Sequence, residues 1–171
     1  MQLCPPRRAR FLVLAALAAL PLAVSAESWL SANDLKPAQL SAPLAVEAFT
    51  INASAEKGVT IEPIEVARTA LDGEVFNARI KLNGGGAPEY RSIRFKAEGK
   101  ASLKVYLCSS SKTDARILKL VDAAGTVLAE LAAPPDDGAA AGMAGFALPG
   151  AGEYLVFSAA SGINIYMVVL E

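Results

Sequence analysis

The sequence predicts an all-β fold, an antiparallel β-sandwich. Three observations point there. Apolar and polar residues alternate with a period of two through most of the chain after residue 45. Turn-forming residues punctuate these stretches and leave about eight to ten short strands. A helical repeat of about 3.6 residues appears only within the first 26 residues.

Taken in order, residues 28–44 read as irregular, broken by Pro37 and Pro43, with room for one helical turn at Ser31-Ala32-Asn33-Asp34. Residues 46–53 alternate as one strand, and 59–62 follow a turn at Glu56-Lys57-Gly58. After a turn at Leu71-Asp72-Gly73-Glu74, Phe76, Ala78, Ile80 and Leu82 share one strand face, and Asn77, Arg79, Lys81 and Asn83 the other. Gly84-Gly85-Gly86 ends that strand. It reads as a flexible turn, because a phosphate-binding loop needs a helix after it and here Pro88 breaks a strand.

Residues 89–97 alternate again, with Arg91, Ile93, Phe95 and Ala97 opposed to Tyr90, Ser92, Arg94 and Lys96. Glu98-Gly99-Lys100 turns into 101–108, where Leu103, Val105 and Leu107 point inward and Lys104, Tyr106 and Cys108 outward. Ser109-Ser110-Ser111 is a loop. Residues 115–122 and 126–131 flank Ala123-Ala124-Gly125 as a hairpin. An Ala/Gly-rich loop over 134–142 precedes strands at 145–148, 152–158 and 163–170. One core is expected from Phe76, Ile80, Ile93, Phe95, Leu103, Val105, Leu118, Leu120, Tyr154 and Val168.

Residues 1–26 read as a signal peptide. Arg7, Arg8 and Arg10 precede an apolar run over 11–24, and Val24-Ser25-Ala26 is a small-x-small cleavage pattern before Glu27. The run falls short of the about 20 residues a membrane span needs. Arg7-Arg8 is a weak twin-arginine hint. The domain plan is therefore a signal peptide at 1–26, a lead-in at 27–45 and a β-sandwich at 46–171, secreted or periplasmic after cleavage.

After cleavage one cysteine remains, Cys108, so no intramolecular disulfide is expected and the core must carry the fold. The chain has no histidine, which excludes Ser-His-Asp and Cys-His sites and His-ligated metals. No carboxylate pair suggests acid–base catalysis. Asp136-Asp137 sits in Pro134-Pro135-Asp136-Asp137-Gly138, a turn sequence expected at a solvated loop tip. No enzyme activity, cofactor or metal is expected.

Charge is divided unevenly. Residues 77–119 hold ten Lys and Arg against Glu89, Glu98 and Asp114, a net +7, inside a mature chain of net −4. Arg79, Lys81, Arg94, Lys96 and Lys104 fall on outward strand positions. Arg91 and Arg116 fall on the inward parity, each at a strand start. A desolvated arginine needs partners there. A face of one sign suits a polyanion, since Arg holds a planar carboxylate by two parallel bonds. Tyr90 and Tyr106 add rings on which a sugar can stack. The candidate ligand-binding residues are Arg79, Lys81, Arg91, Arg94, Arg116, Tyr90 and Tyr106. Nucleic acid also suits a basic face, but export and the overall acidic balance argue against it.

Several stretches carry a family resemblance. They are Phe76-Asn77-Ala78-Arg79-Ile80-Lys81-Leu82, Gly84-Gly85-Gly86, Arg91-Ser92-Ile93-Arg94-Phe95, Val105-Tyr106, Ser109-Ser110-Ser111 and Arg116-Ile117-Leu118. Gly152-Glu153-Tyr154-Leu155-Val156-Phe157-Ser158 and Ser161-Gly162-Ile163-Asn164-Ile165-Tyr166 complete them. In this order they resemble the non-catalytic β-sandwich modules attached to bacterial pectate lyases. The likeness runs over about residues 49–170. It implies a jelly-roll-like sandwich that binds an acidic polysaccharide, homogalacturonan, through Arg79, Lys81, Arg91 and Arg116. Such modules usually ride on a catalytic β-helix, which this chain lacks. A structural or adhesive envelope domain is the alternative reading, and a polysaccharide lyase component a third.

Overall fold

The computed structural model describes residues 27–171; the expected signal peptide lies outside the described residues. Thirteen strands follow one another: β1 (Ser28–Ser31), β2 (Ala38–Leu40), β3 (Leu44–Val46), β4 (Phe49–Asn52), β5 (Val59–Thr69), β6 (Val75–Leu82) and β7 (Ser92–Ala97). Then come β8 (Ala101–Ser109), β9 (Arg116–Asp122), β10 (Val127–Ala133), β11 (Gly142–Leu148), β12 (Gly152–Ser158) and β13 (Ile163–Leu170). A single 3-10 turn, Ala32–Asp34, lies between β1 and β2, where one helical turn was expected.

The strands form two antiparallel sheets, as expected. One has seven strands in the order β11-β8-β13-β6-β5-β2, with β1 also paired to β13; the other has six, β10-β9-β12-β7-β4-β3. The chain changes sheet at each step from β6 to β9 and again from β10 to β13. Neighbours in sequence therefore face each other across the core. Among the described residues no helix is long and apolar enough to cross a membrane.

The core between the sheets contains nine of the ten residues expected there, including Ile80, Ile93, Phe95, Leu103, Val105, Leu118, Leu120, Tyr154 and Val168. Phe49, Phe95 and Tyr154 lie opposite one another on β4, β7 and β12. Their centroids are 6.1 and 5.9 Å apart, within range of favourable ring packing.

Phe76 departs from expectation. It joins a second cluster on the outer face of the seven-stranded sheet, with Tyr106, Cys108, Tyr166 and Val169. Phe76 stacks on Tyr166 at 5.4 Å and meets Tyr106 at 5.1 Å. A bulge in β13 between Ile165 and Met167 brings Tyr166 to this cluster. It flips the parity, so Ile163, Ile165, Val168 and Leu170 face the main core and Tyr166 and Val169 the outer one.

The second cluster has its own cover. β5 leaves its register with β6 between Pro63 and Arg68, and Ile64 from this excursion packs on the cluster. The 134–141 loop closes the other side, bridged at Thr69 and Ala140. Asp136 is not the solvated loop tip expected. Its carboxylate accepts from Arg68 Nε at 2.8 Å and Asn164 Nδ2 at 3.3 Å. Arg68 also donates to the Val66 carbonyl, so one guanidinium ties excursion and loop together. Cys108 donates to the Ala140 carbonyl at 3.4 Å, and burial pushes its thiol pKa up.

Two further differences concern the start of the domain. The strand expected over 46–53 is a tight hairpin, β3 and β4, turning at Glu47-Ala48 with φ 50° at Glu47. The lead-in at 27–45 supplies β1 and β2 to the seven-stranded sheet, so it belongs to the sandwich.

Phe95 is 1% exposed. Phe95→Ala is expected to lower the unfolding free energy by about 3–5 kcal/mol in urea titration. A loss under about 1 kcal/mol would contradict its central place. The Arg68–Asp136 side chains are 11% and 10% exposed, against 68% and 79% for the Lys96–Glu98 pair. Arg68→Ala strands a buried carboxylate and is expected to cost about 3–5 kcal/mol. Lys96→Ala, at a solvated pair, is expected to leave the unfolding midpoint essentially unchanged. Similar losses in the two variants would refute the clamp.

Candidate functional site

The fold disperses the basic residues that the sequence clusters. β6 and β8 belong to the seven-stranded sheet and β7 to the six-stranded one. Arg79, Lys81 and Lys104 therefore project from one outer face and Arg94 and Lys96 from the opposite one. The single basic face expected from alternation does not form.

Most of these cations also meet carboxylates, chiefly from outside the basic segment. Arg79 stands opposite Glu62 on β5 and binds its Oε1 through Nε at 2.9 Å and Nη2 at 2.5 Å. Lys81 lies 3.8 Å from the same oxygen. Arg94 Nη1 reaches Glu153 at 3.1 Å, and Lys104 reaches Glu171 at 3.1 Å. Lys96 pairs with Glu98 at 2.9 Å.

Tyr106 cannot offer the stacking ring expected of it. It is 2% exposed. Its hydroxyl donates to Asp72 Oδ2 at 2.6 Å. Burial and this bond push its phenol up to about 12. The same bond holds the Asp72 carboxyl below the usual range. The outward parity is right, but the second cluster covers that part of the face.

Arg91, Arg116 and Tyr90 come together at one end of the sandwich. Arg116 opens β9 and Arg91 immediately precedes β7. Both continue the inward parity past the last core residue, so their side chains emerge among the loops. Three loops meet there. Gly86 N donates to Ser158 O at 3.0 Å, and Ser110 N to Gly162 O at 3.1 Å. Arg116 Nη1 donates to Ser110 Oγ at 2.6 Å and to the Gly162 carbonyl.

Arg91 is held differently. Its backbone is left-handed, with φ 49°, a conformation that costs a non-glycine residue energy. Its Nε donates to the Gly58 carbonyl at 3.3 Å. Nη1 lies where a Cβ on Gly84 would come within 2.6 Å, so the guanidinium occupies the space of an absent side chain. Gly86 is approached by the Arg91 carbonyl and by Phe157 Cβ, and a Cβ on Gly85 would lie 3.1 Å from Ala160 O. The triple glycine is thus a close-packed seat rather than a slack turn. Tyr90, half-buried, precedes Arg91 in a turn closed by two hydrogen bonds with Ala87, at 3.0 and 3.1 Å.

Two concavities adjoin this end. One of about 350 Å³ lies beside Arg116, lined by Asp114, Ala115, Ile117 and the 159–161 loop. The other, about 620 Å³, runs along the outer face of the seven-stranded sheet beneath Glu62, Arg68, Arg79, Lys112 and Asp136, and reaches Ser110. It is lined by three cations, Arg68, Arg79 and Lys112, and four carboxylates, Glu62, Glu65, Asp136 and Asp137. Ser110 links the two, since it lines the larger and accepts from Arg116. The sequence offered Ser110 only as part of the Ser109-Ser110-Ser111 stretch, and the groove went unseen because the β5 excursion that shapes it has no local signature.

No protein-family model matches the sequence, and no curated protein matches it. Solved structures do. A family 35 carbohydrate binding module from Clostridium thermocellum is similar with a TM-score of 0.50 at 12% identity, covering 85% of this chain and 98% of that one. The M60 catalytic domain with the CBM51-1 and CBM51-2 domains of Clostridium perfringens ZmpB aligns at TM-score 0.44 and 15% identity, over 80% of this chain and 15% of that one. CsCBM6-3 from Clostridium stercorarium, in complex with cellobiose, aligns at TM-score 0.41 and 10% identity, over 65% and 85%. The two-sheet sandwich described here is thus the fold of the Clostridium thermocellum module.

Proposed function

We propose that this chain is an exported, non-catalytic carbohydrate-binding domain whose loop end takes the carboxylates of an acidic plant polysaccharide such as homogalacturonan. One observation carries the reading. Of the five arginines among the described residues, Arg68, Arg79 and Arg94 are held by carboxylates, while Arg91 and Arg116 meet only carbonyl and hydroxyl oxygens. These two lie at the same end. A guanidinium with unused N–H groups on a rigid loop is preorganised for a uronate carboxylate. Tyr90 beside Arg91 supplies a ring for the sugar. The carbohydrate-binding-module type of fold supports the same reading.

A structural or adhesive envelope domain is the second reading. It is favoured by the bonds that Arg91 and Arg116 make to loop carbonyls, which also serve to knit the loops together.

Titrating the exported protein with polygalacturonate and with methyl-esterified pectin separates the two. Binding to the free acid is expected, weaker for the ester and weaker as salt rises. Arg91→Ala and Arg116→Ala are each expected to lose about tenfold or more in affinity. Lys96→Ala, at an exposed pair on the six-stranded sheet, is expected to leave it unchanged. Equal binding of acid and ester, or no binding of either, would favour the structural reading. Growth of unsaturated-uronide absorbance during the titration would overturn the non-catalytic one.

Export rests on the pattern of residues 1–26. Mass spectrometry of the secreted or periplasmic protein is expected to find an N-terminus near Glu27. Retention of residues 1–26 would refute cleavage.

A further inference from the structure

Away from the loop end, the seven-stranded sheet keeps part of its outer face open. Trp29 stands there. It is the only tryptophan in the chain and is 48% exposed. Its neighbour Leu30 enters the main core, so Trp29 projects from the opposite face. Strand register continues a row from it. Trp29 faces Val169 on β13, Val169 faces Lys104 on β8, and Lys104 faces Gly145 on β11.

Across Val169 from the indole, the row continues in polar groups. Lys104 Nζ lies 3.1 Å from Glu171 Oε1. Ser102, exposed on the same face, exchanges backbone hydrogen bonds with Glu171 at 2.7 and 2.9 Å, which fixes the strand end that carries the carboxylate. Gly145 raises no side chain beyond Lys104, so the row ends flat. The arrangement is an exposed ring, a cation paired to a carboxylate, and a hydroxyl on a rigid sheet.

That combination matches a pyranose. The C–H face of the sugar packs on an aromatic ring, as apolar surfaces do. Its hydroxyls donate to a carboxylate and accept from an ammonium, and bonds to charged groups are the strong ones. A neutral sugar fits better than an acidic one, because Lys104 is already balanced by Glu171. We propose that Trp29, Lys104, Glu171 and Ser102 form a second carbohydrate site, for a neutral pyranose chain, separate from the loop end.

A single indole makes the test site-specific. The exported protein is titrated with cellohexaose, mannohexaose, xylohexaose and galactan oligomers while tryptophan emission and acrylamide quenching are followed. At least one sugar is expected to shift the emission and to shield the ring. The Arg91→Ala/Arg116→Ala double variant is expected to respond alike, and Lys104→Ala to bind about tenfold or more weakly. Trp29→Phe keeps an aromatic ring on the strand. By calorimetry it is expected to weaken the neutral sugar while leaving polygalacturonate binding intact. Failure of the loop-end reading alone would remove only the latter. An unchanged emission with all four sugars overturns the proposal, as does a response lost in the arginine double variant. An emission shift that follows protein concentration without sugar would assign the ring to self-association and overturn it too.

Discussion

The middle of the seven-stranded sheet is buried on both sides, and most of the structure follows from that constraint. β13 lies inside this sheet between β8 on one side and β6 and β1 on the other. Seven of its eight residues are buried. One bulge lets the strand feed aliphatic side chains to the core between the sheets and Tyr166 and Val169 to the outer face. Aromatic rings exposed there would leave a large apolar patch in water. The β5 excursion and the 134–141 loop cover them instead. Both are irregular segments with few partners of their own, so they need fastening. Arg68 supplies it by reaching Asp136 and the Val66 carbonyl together.

Electrostatics follows from strand order rather than from sequence order. A run of positive charge along the chain suggests a positive field over one surface. Here the alternation of sheets sends that charge to two opposite faces. Cross-strand pairing then sets Glu62, Glu153 and Glu171 beside the cations. Exposed pairs of this kind contribute little stability. Their larger effect is to shorten the reach of the field, leaving Arg91 and Arg116 as the described arginines without a carboxylate partner.

How much of this was legible in the sequence depends on the range of the information. Alternation told inside from outside for Ile80, Ile93, Leu103 and Val105, because a strand's period is a local property. It could not tell which sheet a strand joins, so Arg79 and Arg94 looked like neighbours. Nor could it tell that an outer face is covered, and Tyr106 was therefore expected in solvent. The Glu47-Ala48 turn lacks the glycine, asparagine or proline that usually marks a hairpin. The lead-in hid β1 because a short strand bounded by Ser28 and Ser31 acquires its meaning only from β13. For the site, the off-parity positions of Arg91 and Arg116 were visible, and the structure brings both to one end of the sandwich. Trp29 went unnoticed, since nothing local distinguishes an exposed indole from a core one.

The packed glycines at 84–86 bear on how this surface tolerates change. Composition suggests a slack connector in which any small residue would serve. Space says otherwise. A methyl group at position 84 meets the Arg91 guanidinium, and one at position 86 meets backbone, whereas at Gly99 and Gly150 it would meet nothing within 4 Å. Sequence drift can therefore run freely through the turns at 99 and 150. At the loop end an alanine would displace an arginine without altering it, so a divergent copy of this domain could lose the arrangement of its loop end while both arginines still appeared in its sequence.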